Sequence, residues 1–407
     1  MTKRLFALFA LVATSAVLVC ALCGVCSVAY AETAAESTDY KNQESYLFVK
    51  EFVTAFPDRS NKINLDNVTN ERKAADWLKT KFDELLPDTS PAAVDVVNYF
   101  EESAFNVSCK LDNPDTNKQI LFTAHFDSSA GQGVGDNAFG VATLYMLLKT
   151  FAQSAVTAPY DLVFVAFGGE ERGLVGSTGY VEKMSAADRS NTVLVVNIDS
   201  IAFGDNLYLF CENKHTDLAT YLTGKIDGIA EKPYNKGIVT NGYDPYGYGY
   251  YETAQDSDHT PFRMAGIPVA FIFSGNYDGL TYRESADPDR CVMNTSADNL
   301  TKFDALCAAQ AVARCSALVD GFVAAFADRD FIAVCDNAAS QLVNNDVAYS
   351  RLYPKIAALV LVALCMCFAV PYFRKLQKRA VLGNADVKNT RLFTQPDADD
   401  IFTFDKK

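Results

Sequence analysis

Histidine and carboxylate side chains stand at the ends of apolar segments in this chain of 407 residues. His125 and Asp127 follow the apolar run 120–122, and in an extended strand two such residues point the same way. An Asp beside a His commonly fixes the orientation of a metal-binding imidazole. Asp136 follows after a loop rich in glycine and serine. This spacing is typical of one half of a metal site.

The other half comes from the next two apolar segments. Segment 162–166 runs through two glycines into the adjacent pair Glu170 and Glu171, and segment 192–198 ends at Asp199. Neighbouring carboxylates usually differ in direction, so one can bind a metal while the other faces a substrate. Open α/β sheets bind their ligands at the carboxyl ends of strands. The pattern therefore predicts a metal site with a base beside it.

Each of these features also has a simpler explanation. A His-x-Asp pair is more often only hydrogen-bonded, an Asp after a strand is often a helix cap, and paired Glu residues usually face solvent. Three successive apolar strands that each end in a His or a carboxylate are unlikely to arise from capping alone. Their order favours the metal site.

Six motifs give the chain a family resemblance over roughly residues 44–326. It resembles the co-catalytic di-zinc aminopeptidase family, which includes bacterial leucyl aminopeptidases, aminopeptidase Y and glutamate carboxypeptidase II. Each motif alone is weak, but the combination is specific. The motifs are AHFDSS at 124–129, GDNAFGVA at 135–142, FGGEERGLVGS at 167–177, NIDSIA at 197–202, SDHTPFRMAGIPV at 257–269 and NTSADNLTKFD at 294–304.

The resemblance implies a peptidase site with two zinc ions. Glu170 corresponds to the general base, and Asp127 to the carboxylate that orients His125. Two neighbouring cations can activate one water molecule and stabilise the oxyanion that forms on the scissile carbonyl. The implied metal ligands are His125 and Asp199 for the first zinc, Asp136 as a bridge, and Glu171 for the second zinc.

One ligand of the second zinc departs from the family pattern. The family has a His where this chain has Asn294, and an amide oxygen is a harder and weaker ligand for zinc than a ring nitrogen. We therefore expect two zinc sites with the second one weakened. The chain has two other histidines. His259, in the Ser-Asp-His motif, is the plausible substitute ligand, whereas His215 is predicted to lie on the surface.

Asn294 leaves two alternatives to an active peptidase. A catalytically silent binding domain of the same fold has no need of the missing His, but it also has no need of Glu170. A glutaminyl-cyclase-like acyltransferase has a single zinc that uses the same Asp, the second Glu and the missing His, so its only metal would be affected. The residues favour a peptidase, most simply an aminopeptidase acting on peptides, although the direction of exopeptidase action stays open.

Strands alternate with helices throughout 44–326, which predicts an α/β fold with a mostly parallel mixed sheet sandwiched between helices. Predicted strands are 94–99, 104–110, 119–125, 161–167, 192–198, 206–211 and 268–273. Predicted helices are 74–85, 137–153, 175–183, 217–229 and 301–326. Aromatic side chains in two loops, Tyr248, Tyr250 and Tyr282, are candidate substrate contacts.

Apolar segments outside this domain predict export and membrane attachment. Residues 1–31 have the charge, apolar core and small-residue end of a signal peptide. Segment 356–373 is apolar and is followed by basic residues, which predicts one C-terminal transmembrane helix with its carboxyl side in the cytoplasm. The predicted order is signal peptide, extracytoplasmic domain, stalk (327–355), transmembrane helix and cytoplasmic tail (374–407). This arrangement makes the protein a single-pass protein of the cell membrane.

Charge and cysteine content add two further expectations. The net charge of −14 argues against nucleic acid as a partner. Six of the 11 cysteines lie outside the predicted signal and span. An even number in an exported domain permits disulfides but does not define their pairing.

Overall fold

The computed structural model describes residues 39–62, 68–99, 101–154, 158–211, 215–231, 257–275 and 292–340, together with Tyr372 and Arg374. The predicted signal peptide lies outside these residues. The same holds for the predicted transmembrane helix and cytoplasmic tail, apart from the two isolated residues.

One mixed sheet of eight strands forms the centre of the described part of the chain, in the order β1-β2-β4-β3-β5-β8-β6-β7. Neighbours are parallel from β4 through β3 and β5 to β8, and antiparallel at β1–β2, β2–β4 and β6–β8. The strands are β1 (Ala93–Tyr99), β2 (Glu102–Leu111), β3 (Gln119–His125), β4 (Asp161–Phe167), β5 (Thr192–Ile198), β6 (Asn206–Cys211), β7 (Ile229–Glu231) and β8 (Val269–Gly275).

Helices connect these strands, and the first follows a short 3₁₀ turn at Asp39–Asn42. The helices are α1 (Glu44–Ala55), α2 (Asn70–Asp83), α3 (Phe139–Gln153), α4 (Val175–Lys183), α5 (Ala186–Asn191), α6 (Thr216–Thr223), α7 (His259–Met264), α8 (Leu300–Leu306), α9 (Ala308–Phe326) and α10 (Arg329–Ser340).

The central strands are buried on both faces, which explains their continuous apolar sequences. Every residue of β4, β5 and β8 is buried, as are six of the seven in β3. Parallel strands need apolar residues on both faces because helices cover both sides of such a sheet. On one side Phe122 packs against Phe164 and Phe322, and on the other Phe167 packs near Phe262. The mixed sheet sandwiched between helices is confirmed.

Four predicted helices have different limits in the structure. The helix predicted at 74–85 runs from Asn70 to Asp83. The helix predicted at 217–229 ends at Thr223, and Ile229 already begins β7. The helix predicted at 301–326 is two helices, because Cys307 leaves the helical conformation with φ −150°. The helix predicted at 137–153 begins at Phe139, because residues 134–138 form a separate turn.

Helix α10 lies beyond the predicted limit of the domain, in the segment assigned to the stalk. Phe331 and Cys335 on this helix are fully buried in the main hydrophobic core. The folded unit therefore extends past residue 326.

Helix α9 is long and apolar enough to cross a membrane, but it contributes Phe322 and Phe326 to the same core. Cys335 and four other described cysteines are buried and free of disulfides.

Candidate metal centre

The carboxyl ends of β4, β3 and β5, three adjacent parallel strands, bring the predicted ligands together. His125 Nε2 lies 3.1 Å from Asp136 Oδ1 and 3.2 Å from Asp199 Oδ1. These side chains form the one described group of His, Cys and acidic residues whose ligand atoms all lie within 4.8 Å of each other. His125 is 1% exposed, Asp136 8% and Asp199 7%. The centre is therefore compact and nearly closed to solvent.

Asp127 connects the imidazole to the neighbouring Glu pair. Its Oδ1 lies 3.3 Å from His125 Nδ1, on the side of the ring opposite Asp136 and Asp199. The backbone N–H groups of Glu170 and Glu171 donate to its two oxygens at 3.1 and 3.2 Å. Asp127 thus fixes both the ring and the turn after β4.

Asp199 is held by hydroxyl groups. Ser257 Oγ donates to Asp199 Oδ2 at 2.7 Å, which leaves Oδ1 facing the imidazole. Asn197 Nδ2 donates to the same Ser257 oxygen at 2.8 Å, and Thr123 Oγ1 donates to Asn197 Oδ1 at 2.8 Å. This buried chain joins β3, β5 and the turn before α7, so the direction of the Asp199 carboxylate depends on all three.

The loop before Asp136 is fixed by two buried charged side chains. Asp298 accepts hydrogen bonds from the backbone N–H groups of Val134, Gly135 and Asp136 at 2.9–3.0 Å. The guanidinium of Arg59 donates to the carbonyl oxygens of Phe126, Gln132 and Gly133. Gly133 has φ +50°, and a Cβ there would lie 2.8 Å from Arg59 Nη2, so the loop needs glycine at this point.

Strong negative charge surrounds the single imidazole. Burial alone would lower the pKa of His125, but Asp199 and Glu170 outweigh it and raise that pKa well above its usual value. Burial raises the pKa of Glu170 well above the usual range, although His125 opposes this shift. Burial raises the pKa of Asp258, which is fully buried, to about 7. Buried carboxylates in this number need a cation, and one imidazole with carboxylate oxygens is a donor set that suits zinc.

Glu171 and Asn294 lie together on the second side of the centre. The Nδ2 group of Asn294 donates to Ser129 Oγ at 2.6 Å and to the two carboxylate oxygens of Glu171 at 3.1 and 3.2 Å. The N–H of Ser129 donates to Glu171 Oε1 at 3.2 Å. Asn294 has φ +57°, a left-handed conformation that Asn tolerates better than most residues. The structure therefore places Asn294 beside Glu171, the other predicted ligand of a second metal, with its amide nitrogen toward the carboxylate.

The remaining candidates have different positions. His259 is fully buried and its ring stacks on Phe271 with centroids 4.2 Å apart, and it does not belong to the described ligand group. The prediction that His215 lies on the surface is wrong, because it is 2% exposed. His215 precedes α6, which packs against β6 and α10. The three candidate substrate contacts Tyr248, Tyr250 and Tyr282 lie outside the described residues.

Sequence reasoning missed the residues that support the ligands. Ser257 and Asp298 lie in the motifs at 257–269 and 294–304, so the sequence marked both residues as candidates. It did not show which groups they hydrogen-bond. Arg59 gave no signal of its own, since a single Arg in a polar loop is usually exposed.

Comparisons with known proteins agree with this geometry. The profile described as peptidase family M28 matches residues 106–318, just over half of the chain. Leupeptin-inactivating enzyme 1 of Streptomyces exfoliatus is 29% identical over 175 residues, which are 42% of this chain and 36% of that protein. The alkaline phosphatase isozyme conversion protein of Escherichia coli K12 is 28% identical over 188 residues, covering 41% of this chain and 53% of that protein. The chain thus spans about a third to a half of these relatives.

Solved structures also share the fold. A crystal structure of LapA from Legionella pneumophila matches with a TM-score of 0.51 and 20% identity, covering 72% of this chain and 76% of LapA. At this identity the similarity concerns the fold.

Proposed function

Because the chain belongs to peptidase family M28, we propose that it is a zinc-dependent exopeptidase that removes N-terminal residues from peptides. The observation that carries this proposal is the convergence of His125, Asp136 and Asp199 with Glu170 beside them. Several relatives of 25–28% identity are named aminopeptidases, including aminopeptidase YwaD of Bacillus subtilis. Their names support an aminopeptidase over a carboxypeptidase.

The residues of the centre divide the chemistry among them. His125, Asp136 and Asp199 would hold the first zinc, while Glu171 and Asn294 would hold a second metal more weakly. A zinc ion in such a site supplies Lewis-acid activation of a peptide carbonyl and of water. Glu170 takes a proton from the attacking water and returns it to the departing amine. Its position beside His125, in the turn whose N–H groups donate to Asp127, suits this task.

A turnover assay with a matched pair of variants tests the proposal. Purified protein with added zinc should hydrolyse aminoacyl chromogenic substrates, and Glu170→Gln should lower kcat by about 10²–10⁴-fold with zinc still bound. Glu182→Gln, an exposed substitution on α4, is the control and should leave kcat unchanged. Absence of turnover with zinc, manganese or cobalt, or full activity of the Glu170 variant, would reject the proposed catalysis.

Asn294 is the observation that favours a second candidate, a silent binding domain of the same fold. Such a domain would bind a peptide without cleaving it, and neither Glu170 nor Glu171 would affect that binding. Peptides with N-terminal glutamine provide a separate test for cyclase chemistry. Release of ammonia without peptide cleavage would identify an acyltransferase.

The location of the enzyme forms part of the proposal. The sequence of 1–31 supports export, and the apolar segment 356–373 with its basic flank supports a single membrane span with the catalytic domain outside the cytoplasm. Protease added to intact cells should remove the catalytic domain and leave an epitope in 374–407 protected. Protection of the domain would contradict this topology.

A further inference from the structure

A buried side chain on β2, that of Asn106, closes the turn that carries Glu170. The Oδ1 atom of Asn106 accepts a hydrogen bond from the Gly168 N–H at 3.3 Å, and its Nδ2 group donates to the Gly176 carbonyl oxygen at 2.9 Å. Gly168 directly follows β4, and Gly176 lies in the first turn of α4. One amide group therefore joins the two ends of the turn 168–176.

The hydrogen-bond partners fix the orientation of the Asn106 amide. A backbone N–H can only donate and a carbonyl oxygen can only accept, so the reversed amide would lose both hydrogen bonds. Asn106 is 1% exposed, and a buried polar group without a partner is costly. Replacing this amide by an apolar group would therefore favour opening of the turn.

The two ends of the turn lie in close contact with each other. A Cβ on Gly176 would lie 2.2 Å from the Gly168 carbonyl oxygen and 2.5 Å from Asn106 Oδ1. A Cβ on Gly168 would lie 2.2 Å from Oε1 of the buried Glu71. Both ends therefore need glycine, and a side chain at either position would force the turn open.

Other side chains hold the middle of the turn. Asp127 accepts from two of its backbone N–H groups at 3.1 and 3.2 Å. Arg172 pairs with Glu71 of α2 at 2.6 Å. These contacts fix the middle of the turn to β3 and α2, whereas Asn106 fixes its ends to β2. The position of Glu170 depends on both sets of contacts.

We propose that Asn106 is a positioning residue for the general base, because it holds the turn 168–176 closed and so presents Glu170 to the metal centre. The role of Glu170 rests on the proposed function, whereas closure of the turn can be measured without turnover. Asn106 acts through the backbone of the turn, so its test must separate an effect on the base from a general loss of structure.

Amide hydrogen exchange of the metal-free, full-length protein tests whether Asn106 closes the turn. Asn106→Leu keeps the branched shape and removes both hydrogen bonds, so the amides of 168–176 should exchange about 10-fold faster or more. Amides of 134–142 and 192–198 should keep their wild-type rates. Asn337→Leu, the same change at an exposed position of α10, is the control and should leave all three segments unchanged. Wild-type exchange of 168–176 in Asn106→Leu would overturn the proposal.

Turnover with zinc separates a positioning role from a general loss of structure. Asn106→Leu should lower kcat by about 10–100-fold, because a small displacement of a reacting group is costly. KM and the zinc affinity at His125, Asp136 and Asp199 should stay within about 3-fold of wild type, since these ligands lie outside the turn.

Two kinetic results would overturn the proposal. An unchanged kcat with faster exchange would show that the base does not depend on the closed turn. A loss of zinc affinity in step with kcat would assign Asn106 a general structural role. A wild type that cleaves nothing would reject the proposed function, and the exchange rates would still decide whether Asn106 closes the turn.

Gly176→Ala breaks the same closure with Asn106 in place. Its added Cβ would collide with the Gly168 carbonyl oxygen, so this variant should show the same faster exchange and lower kcat with zinc retained. Gly224→Ala, directly after α6, is the matched control, because its Cβ would lie 3.4 Å from the nearest backbone oxygens. Wild-type exchange and kcat in Gly176→Ala would overturn the proposal.

Discussion

Asp127 illustrates how one short side chain can set the geometry of the candidate metal centre. Its two oxygens accept from the backbone N–H groups of Glu170 and Glu171, and Oδ1 also lies beside His125 Nδ1. The ring and the turn that carries Glu170 are thus fixed by the same carboxylate. A ligating His whose second nitrogen faces a carboxylate presents its other nitrogen to the metal in one orientation.

Ser257 orients Asp199 in the way that Asp127 orients His125, and this role can be tested. Ser257→Ala removes the 2.7 Å hydrogen bond to Asp199 Oδ2 and leaves Asn197 Nδ2 without its acceptor. We expect zinc affinity at the first position to fall by about 10–100-fold, measured by competition with a chromophoric chelator. Ser190→Ala on the exposed side of α5 is the control. Equal zinc affinity in both variants would show that Ser257 does not orient the ligand.

The buried carboxyl group of Glu71 predicts that the free energy of unfolding depends on pH. It is fully buried, accepts from the Phe105 N–H and pairs with Arg172 at 2.6 Å. Burial raises its pKa from 4.5 to about 7, although Arg172 opposes this shift. Between pH 4.5 and about 7, Glu71 keeps its proton in the folded protein but releases it in the unfolded chain. The free energy of unfolding therefore falls as pH rises.

Glu71→Gln cannot titrate and should lose this pH dependence. In metal-free protein, the stability of the wild type relative to Glu71→Gln should decrease by about 3 kcal/mol from pH 4.5 to 7.5, measured by urea unfolding. Glu102→Gln removes an exposed partner of the same Arg172 and should cost under about 1 kcal/mol. A constant difference between wild type and Glu71→Gln across this range would contradict the prediction.

At the scale of elements, two buried arginines hold the loops that carry the ligands. Arg59 donates to carbonyls of the loop between β3 and α3, and Arg314 of α9 donates to the carbonyls of Ile201 and Gly204 after β5. Burial lowers the pKa of Arg59 to about 10, against the opposing effect of Asp298, so it remains charged at neutral pH. Arg59 therefore also offsets part of the acidic charge of the centre.

Arg59→Met tests this role of the arginine. The variant leaves several buried carbonyl groups without donors and removes a buried positive charge, so we expect a loss of about 3–5 kcal/mol of unfolding free energy. Arg72→Met is the matched control, because Arg72 forms a partly exposed pair with Asp76 and lies over the Phe105 ring, and its loss should cost about 1 kcal/mol. Similar losses in the two variants would mean that Arg59 does not hold the loop.

At the scale of the whole molecule, α10 determines where the folded unit ends. Phe331 packs near Phe326 and Tyr221, with ring centroids 5.1 and 5.6 Å away. Asp336 on the same helix pairs with Lys118 at 2.8 Å. These contacts join the end of the described chain to β3 and α6.

Phe331→Ala distinguishes an integral helix from a detached stalk. Phe331 is fully buried, so its truncation should cost about 3–5 kcal/mol in urea unfolding of the purified protein. Asn337→Ala, at an exposed position of the same helix, removes a 3.4 Å hydrogen bond to Asp217 and should cost about 1 kcal/mol or less. A stalk that does not pack on the domain would show no loss for either variant.

Strong local patterns made much of the fold predictable. The limits of β3, β4 and β5 agree with the sequence prediction because each is a continuous apolar run that ends in polar residues. Helix α10 was not predicted, because its larger apolar residues form one short run at 331–335 and its buried face depends on the surface it packs against. The exposure of His215 was predicted wrongly for the same reason, because the burial of a side chain depends on the elements that pack around it.

The sequence by itself determined which residue types end the central strands, and so the kind of chemistry that the chain can perform. It also determined that Asn294 replaces an imidazole. Only the tertiary structure decided that Asn294 lies against Glu171, that Ser257 orients Asp199, that Asp127 also fixes the turn that carries Glu170, and that Arg59 and Asp298 hold the loop. The physical reason is that these contacts join residues 40 or more positions apart, and their geometry exists only once the sheet has brought its strand ends together.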